Sequence, residues 1–149
     1  MLTSISTEVL KIQTTKAPEF IDITDEVVKF VEGMEINSGA LVIYSRHTTA
    51  AVRINENETL LKKDMAEFLN QVAPEEDYYR HNDFSIRTEN MTEDEVPNGH
   101  AHCQSLGLGA SETIPVINGE LQLGNWQRVF LIELDHARER EVILQVLGG

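Results

Sequence analysis

Five histidines, His47, His81, His100, His102 and His136, are the side chains in this sequence most able to do chemistry. Two of them stand together in Asn98-Gly99-His100-Ala101-His102. Neutral imidazole nitrogen suits zinc and similar divalent ions, and three protein ligands leave a coordination position open for water or substrate. Residues i and i+2 share a face of an extended segment but diverge by about 200° around a helix. Asn98-Gly99 reads as a turn into a helix, and from a turn both rings could still reach one ion. The competing reading makes one or both of them hydrogen-bonded, inert residues at a helix start.

His47 lies in Ser45-Arg46-His47-Thr48-Thr49-Ala50, a polar cluster just after an apolar run. Strand ends on a rigid scaffold commonly carry sites, although a core histidine bonded to Thr48 or Thr49 fits the same pattern. Glu56, in Asn55-Glu56-Asn57-Glu58, falls at a strand-to-helix junction. It could be a general base, a group that orients a ligating histidine, or a cap or first-turn acid favoured by the helix dipole. Gly107-Leu108-Gly109-Ala110-Ser111 is glycine-rich but lacks the lysine of a P-loop, and a helix C-cap explains the glycines equally well. Gly124-Asn125-Trp126-Gln127 sets the one tryptophan beside an amide, either buried in a core or subunit interface or stacked on a flat ligand ring. Cys103 has no activating motif and is expected to be a buried, inert thiol.

The elements that must position these residues follow from periodicity. Residues Thr3 to Gln13 read as a strand with Ile5, Thr7 and Val9 on one face, Leu10 and Ile12 on the other. Asp22 or Thr24 caps a helix to about Met34. Ala40 to Tyr44 is a strand apolar enough to be buried on both sides, and Ala50 to Ile54 is another. The clearest helix runs from about Asn57 to Val72, with Leu61, Met65, Phe68, Leu69 and Val72 turned inward, and Pro74 ends it. Residues 74–99 carry eight acids, two arginines and little periodicity. So long a loop in a small domain is functional or mobile, and His81 within it points to function.

A short helix follows from His100 to Leu108, and the last forty residues read as a β meander. Its strands are Thr113 to Ile117, Glu120 to Leu123, Arg128 to Leu134 and Glu139 to Leu147, with Asn118-Gly119 as a hairpin turn. Strands at both ends with two or three helices between make the fold class α+β.

At 149 residues the chain fits one domain with a real core. It carries 12 Lys+Arg against 25 Asp+Glu, a formal charge of −13, which disfavours nucleic acid and anionic membrane as partners. An anionic substrate would need a local patch of Arg, backbone N–H groups or a metal. One cysteine permits no internal disulfide, and Met1 to Glu8 has no basic start or apolar run of a signal peptide. A cytoplasmic location is therefore expected.

Read in order, His47-Thr48-Thr49-Ala50, Asn55-Glu56-Asn57, Tyr79-Arg80-His81, Asn98-Gly99-His100-Ala101-His102 and Gly124-Asn125-Trp126-Gln127 resemble the YjbQ family, also called secondary thiamine-phosphate synthases. Pro115-Val116, Asn118-Gly119 and Glu133-Leu134-Asp135 with Arg138 and Arg140 fit as well. The resemblance implies an α+β fold of small mixed sheets and a homotrimer with pockets between subunits. It also implies a divalent metal, zinc or magnesium, on His47, His81 and His102, with His100 a fourth ligand or a group behind the ligands. By the same resemblance Glu56 and Gln127 are the catalytic candidates. Asn125 replaces the threonine usual before the tryptophan, and His136 matches no family motif.

The activity so implied joins a hydroxymethylpyrimidine diphosphate to a thiazole phosphate with release of pyrophosphate. A His-bound cation would offset the leaving charge, and Arg46 or Arg80 would pair with phosphate oxygens. The alternative is a non-catalytic trimeric module that holds a metal or a small phosphorylated metabolite without turnover.

Overall fold

The computed structural model describes residues 4–149. Ten strand residues, β1 (Ser4–Gln13), run antiparallel to β8 (Glu139–Gly148) along their whole length; the part of the first expected strand at Thr3 lies outside the described residues. Beside them stand β3 (Ser38–Ser45), β5 (Ser111–Ile117) and the two-residue β6 (Glu120–Leu121), giving a five-stranded sheet in the order β1-β8-β3-β5-β6. A second sheet, β2-β7-β4, holds β7 (Arg128–Glu133) between β2 (Glu19–Asp22) and β4 (Ala50–Asn55). The helices are α1 (Thr24–Glu32), α2 (Thr59–Val72) and α3 (Gly99–Leu108), so the class is α+β. Among the described residues every strand pair is antiparallel.

The run Val129-Phe130-Leu131-Ile132 is continuously apolar because β7 is buried on both faces. Val129 and Leu131 join a core with Leu41, Ile43, Ile114 and Leu144 of the larger sheet and Val27 of α1. Phe130 and Ile132 point the other way, into a second core with Leu69 of α2 and Ala101 of α3. Alternation along one strand thus feeds two cores. The meander expected of the last forty residues stops after one hairpin, for the same reason. Such a strand needs neighbours at both edges and cover on both faces, and β7 finds them in the second sheet, after which β8 returns to the first. Asn118 (φ 52°) and Gly119 (φ 78°) do form the tight turn between β5 and β6.

Two further expectations change. α2 turns Leu61, Met65 and Leu69 toward the protein, but Phe68 (59% exposed), Val72 and Leu60 stay in solvent as a second apolar stripe. β2, four residues long, is too short to show an alternation and was not expected. Among the described residues no helix is long and apolar enough to cross a membrane.

Candidate functional site

The loop after β3, the loop after β7, the start of α3 and the segment 80–98 meet around a polar cleft of about 880 Å³. His47, His81 and His102 all line it, and so does His136. His81 sits in a 3-10 turn, Arg80–Asn82, and this turn is pinned to α3 by two contacts. Gly99 donates its N–H to Asn82 Oδ1 at 2.8 Å, and Gly99 lies so close to Tyr79 that an added Cβ would stand 2.5 Å from the Tyr79 Cβ. Arg87 secures the other side, donating to the His81 carbonyl at 3.2 Å and pairing with Glu95 at 3.1 Å.

That frame brings the His81 and His102 rings to a centroid separation of 4.6 Å, 74° apart in plane. Two imidazoles bound tetrahedrally to one zinc, with Zn–N near 2.0–2.1 Å, place their ring centres about 5 Å apart. The separation of the two rings is close to that spacing. Burial, and then His81 itself, lowers the pKa of His102, which favours the neutral ring that a metal requires.

His47 occupies a tight turn. Its backbone N–H donates to Ser45 Oγ at 3.3 Å, and Ser45 Oγ donates to the Ala50 carbonyl at 2.9 Å. The ring is bonded neither to Thr48 nor to Thr49: its Nε2 accepts the Glu141 N–H at 2.9 Å. Burial, then Arg140 and Arg138, lowers its pKa. A neutral imidazole has one lone-pair nitrogen, so in this pose His47 offers the cleft an N–H rather than a ligand. Among the described residues no group of three His, Cys, Asp or Glu stands close enough to hold an ion as the side chains lie.

His100 is not brought to this cleft. It is 6% exposed, faces a separate cavity of about 220 Å³ with Lys16, Asn70 and Glu75, and its Nδ1 is buried without a partner. The divergence of i and i+2 around a helix accounts for this, since α3 begins at Gly99 and both residues are already helical. A fourth ligand at His100 is thus not what the fold provides.

Glu56 and Gln127 also stand apart from the histidines. β4 begins beside the cleft at Ala50 and ends at Asn55, which pairs with Arg128. Six residues of strand put Glu56 and Gln127 on the order of 17–20 Å from the His47 end. Gln127 Oε1 accepts the Gly124 N–H at 2.8 Å and closes the Gly124–Gln127 turn, leaving Trp126 73% exposed beside it. Trp126 is in neither core. The cap of α2 is Glu58, which accepts from Leu60 and Leu61, so Glu56 is not needed for that. Gly109, with φ 102°, ends α3, and the helix-cap reading of the glycines holds. Cys103 is exposed, not buried.

Asp135, named only as part of the resemblance and given no role there, also lines the cleft. Its buried carboxylate accepts from Asn98 Nδ2 at 3.0 Å and meets His136 Nδ1 at 2.9 Å. Burial works to raise its pKa, but those hydrogen bonds and the charge of Arg138 bring it below the usual value. Its signals in the sequence are the Glu133-Leu134-Asp135 segment of the resemblance and its place directly after the buried strand. His136, which matches no family motif, orients on this carboxylate.

A family model described as UPF0047 protein YjbQ-like matches residues 8–149. A UPF0047 protein of Methanothermobacter thermautotrophicus is 37% identical over 144 residues, covering 97% of this chain and 93% of that protein. The UPF0047 protein YugU of Bacillus subtilis is 40% identical over 141 residues, 93% of this chain and 97% of YugU. The crystal structure of a YbjQ-like protein from Sulfolobus solfataricus P2 superposes with a TM-score of 0.89 at 32% identity, covering 99% of this chain and 100% of that one. The crystal structure of a hypothetical protein from Aeropyrum pernix K1 gives a TM-score of 0.86 at 34% identity, covering 97% of this chain and 99% of that one. The fold, the order of motifs and these matches together make the chain a member of the YjbQ/UPF0047 family.

Proposed function

We propose that this chain is a cytoplasmic metal-dependent enzyme of the thiamine-phosphate-synthase kind, which joins a pyrimidine diphosphate to a thiazole phosphate. The observation that carries this reading is the His81–His102 pair, whose spacing suits one divalent ion, zinc before magnesium because imidazole is the donor. Such an ion would supply Lewis-acid stabilisation of the departing pyrophosphate. The chain's own part is to fix the two rings, through Gly99, Asn82 and Arg87, and to line the cleft with arginines. The geometry supports His81 and His102 as ligands; His47 would have to leave the Glu141 N–H to join them.

A homotrimer belongs to this proposal. Glu56 and Gln127 lie too far along β4 and β7 to serve their own cleft, so as catalytic groups they would act in the cleft of a neighbouring copy. The exposed Leu60, Phe68, Val72 and Trp126 are apolar area that such an assembly would cover.

The same separation of Glu56 and Gln127 from the histidines favours one other reading, a trimeric module that holds a metal or phosphorylated metabolite without turnover. Pyrophosphate release from the two phosphorylated substrates by metal-loaded protein separates the two. The enzyme reading expects release that His102→Ala abolishes while the oligomer stays intact. No release, or release that survives the substitution, sinks it.

A further inference from the structure

The donors and acceptors around the cleft do not balance. Asp135 is taken up by Asn98 and His136, Glu95 by Arg87 and Thr92, and Asp94 by Thr92. Two of the four arginines lining the cleft are also committed. Arg87 is held by Glu95 and the carbonyls of His81, Glu89 and Asn90, and Arg140 by Glu133 and Thr49. The other two are loosely paired. Arg46 stands 3.5 Å from Glu141 and Arg138 stands 3.5 Å from Asp135, both with exposed side chains. At that distance neither makes a good hydrogen bond, so both guanidinium forks are open to a ligand.

His47 adds a third donor. With Nε2 accepting from Glu141, the proton of the neutral ring is on Nδ1. The buried polar side-chain atoms without a partner, among the described residues, are Asn98 Oδ1 and His100 Nδ1. His47 Nδ1 is not one of them, so it is not sealed inside the protein, and His47 lines the cleft, which puts that N–H in reach of a ligand there. Free donors facing a cleft whose carboxylates are already taken up make a site for an oxyanion, inside a chain whose formal charge is −13.

We infer that His47 Nδ1–H, Arg46 and Arg138 form a phosphoryl-binding subsite, and that His47 stays outside the ligand set of any ion on His81 and His102. The inference rests on the reading of this cleft as one for a phosphorylated metabolite, and it names the groups that take the phosphate. Arg80, the other arginine considered for that role, does not line the cleft but an adjoining hollow that shares His81, Arg87 and Asn90 with it.

The test is calorimetric titration of the full chain with inorganic phosphate, with metal content measured on the same samples. His47→Ala keeps the wild-type metal content and weakens phosphate binding by about tenfold or more, as the loss of a charge-assisted hydrogen bond implies. His47→Asn recovers most of the affinity, because its amide N–H stands near the place of Nδ1. Arg138→Gln, a change at an exposed side chain, weakens phosphate in the same way and serves if the His47 variants do not fold. Loss of metal in folded His47→Ala, unchanged phosphate affinity in the variants, or no phosphate binding by the wild type overturns the subsite. Phosphate binding with these effects in a chain that holds no metal leaves the subsite standing and removes the metal enzyme.

Discussion

Arg140 and Glu133 form an ion pair sealed beneath the cleft, with side chains 1% and 0% exposed. Arg140 Nε donates to Glu133 Oε1 at 2.8 Å, and the same guanidinium donates to Thr49 Oγ1 at 2.9 Å and the Thr49 carbonyl at 3.2 Å. Glu133 in turn accepts from Thr14 Oγ1 at 2.7 Å and from the N–H groups of Leu134 and Asp135 at 3.1 Å. One pair therefore fastens the ends of β1 and β7, the turn that holds His47, and Asp135. Burial alone would raise the pKa of Glu133; the bonds from Arg140, Thr14 and Asp135 outweigh it and bring it down.

Arg140→Met strands that carboxylate in the core. The expected loss is about 3–5 kcal/mol of unfolding free energy in a urea titration, and the Arg140→Met/Glu133→Leu double variant loses less than the single one. A single variant as stable as the wild type would show that the pair does not hold the loops.

Gly99→Ala tests the frame around His81. The new Cβ would meet Tyr79 at 2.5 Å and 2.8 Å, forcing apart the start of α3 and the turn that carries His81. Zinc affinity, measured by competition with a chelator, is expected to fall by about 10–100-fold, and stability by about 1–3 kcal/mol. Undiminished affinity would mean that the spacing of the two rings does not depend on this contact.

Asp22 gives a pH dependence. Burial opposes its charge, but bonds from Arg128, Thr24 and Asn57 prevail and lower its pKa from 3.8 to about 2. A folded pKa below the unfolded one contributes stability that is complete above about pH 4 and is lost as pH falls toward 2. Asp22→Asn should cost about 1–2 kcal/mol at pH 7, discounted for the partly exposed Arg128. That difference should vanish near pH 2 in denaturation curves taken across the range. A cost that is constant with pH would assign it to packing instead of charge.

Much of this architecture was legible before the structure. The apolar run in β7, the Asn118-Gly119 turn and the helix ahead of Pro74 each carry a local signal. What was not legible depends on partners distant in the chain. Nothing local tells β7 to leave the first sheet, and nothing in the spacing of α2 says that Phe68 faces solvent while Leu69 is buried. Among the histidines, the meeting of His81 and His102 rests on Gly99 and Tyr79, twenty residues apart. His47 is a ligand candidate only through the resemblance, and the Glu141 N–H, ninety-four residues away, reveals which of its nitrogens is free. His100 turns to a separate cavity because α3 is already helical at Gly99, which the expected turn into the helix at His100 did not reveal.

The central claim is that His81 and His102 hold one divalent ion between them. Elemental analysis of zinc-loaded, desalted chain beside the His81→Ala/His102→Ala double variant tests it most directly. The account predicts about one zinc per chain in the wild type, from a single tetrahedral site, and essentially none in the variant. Equal zinc in both proteins would contradict it.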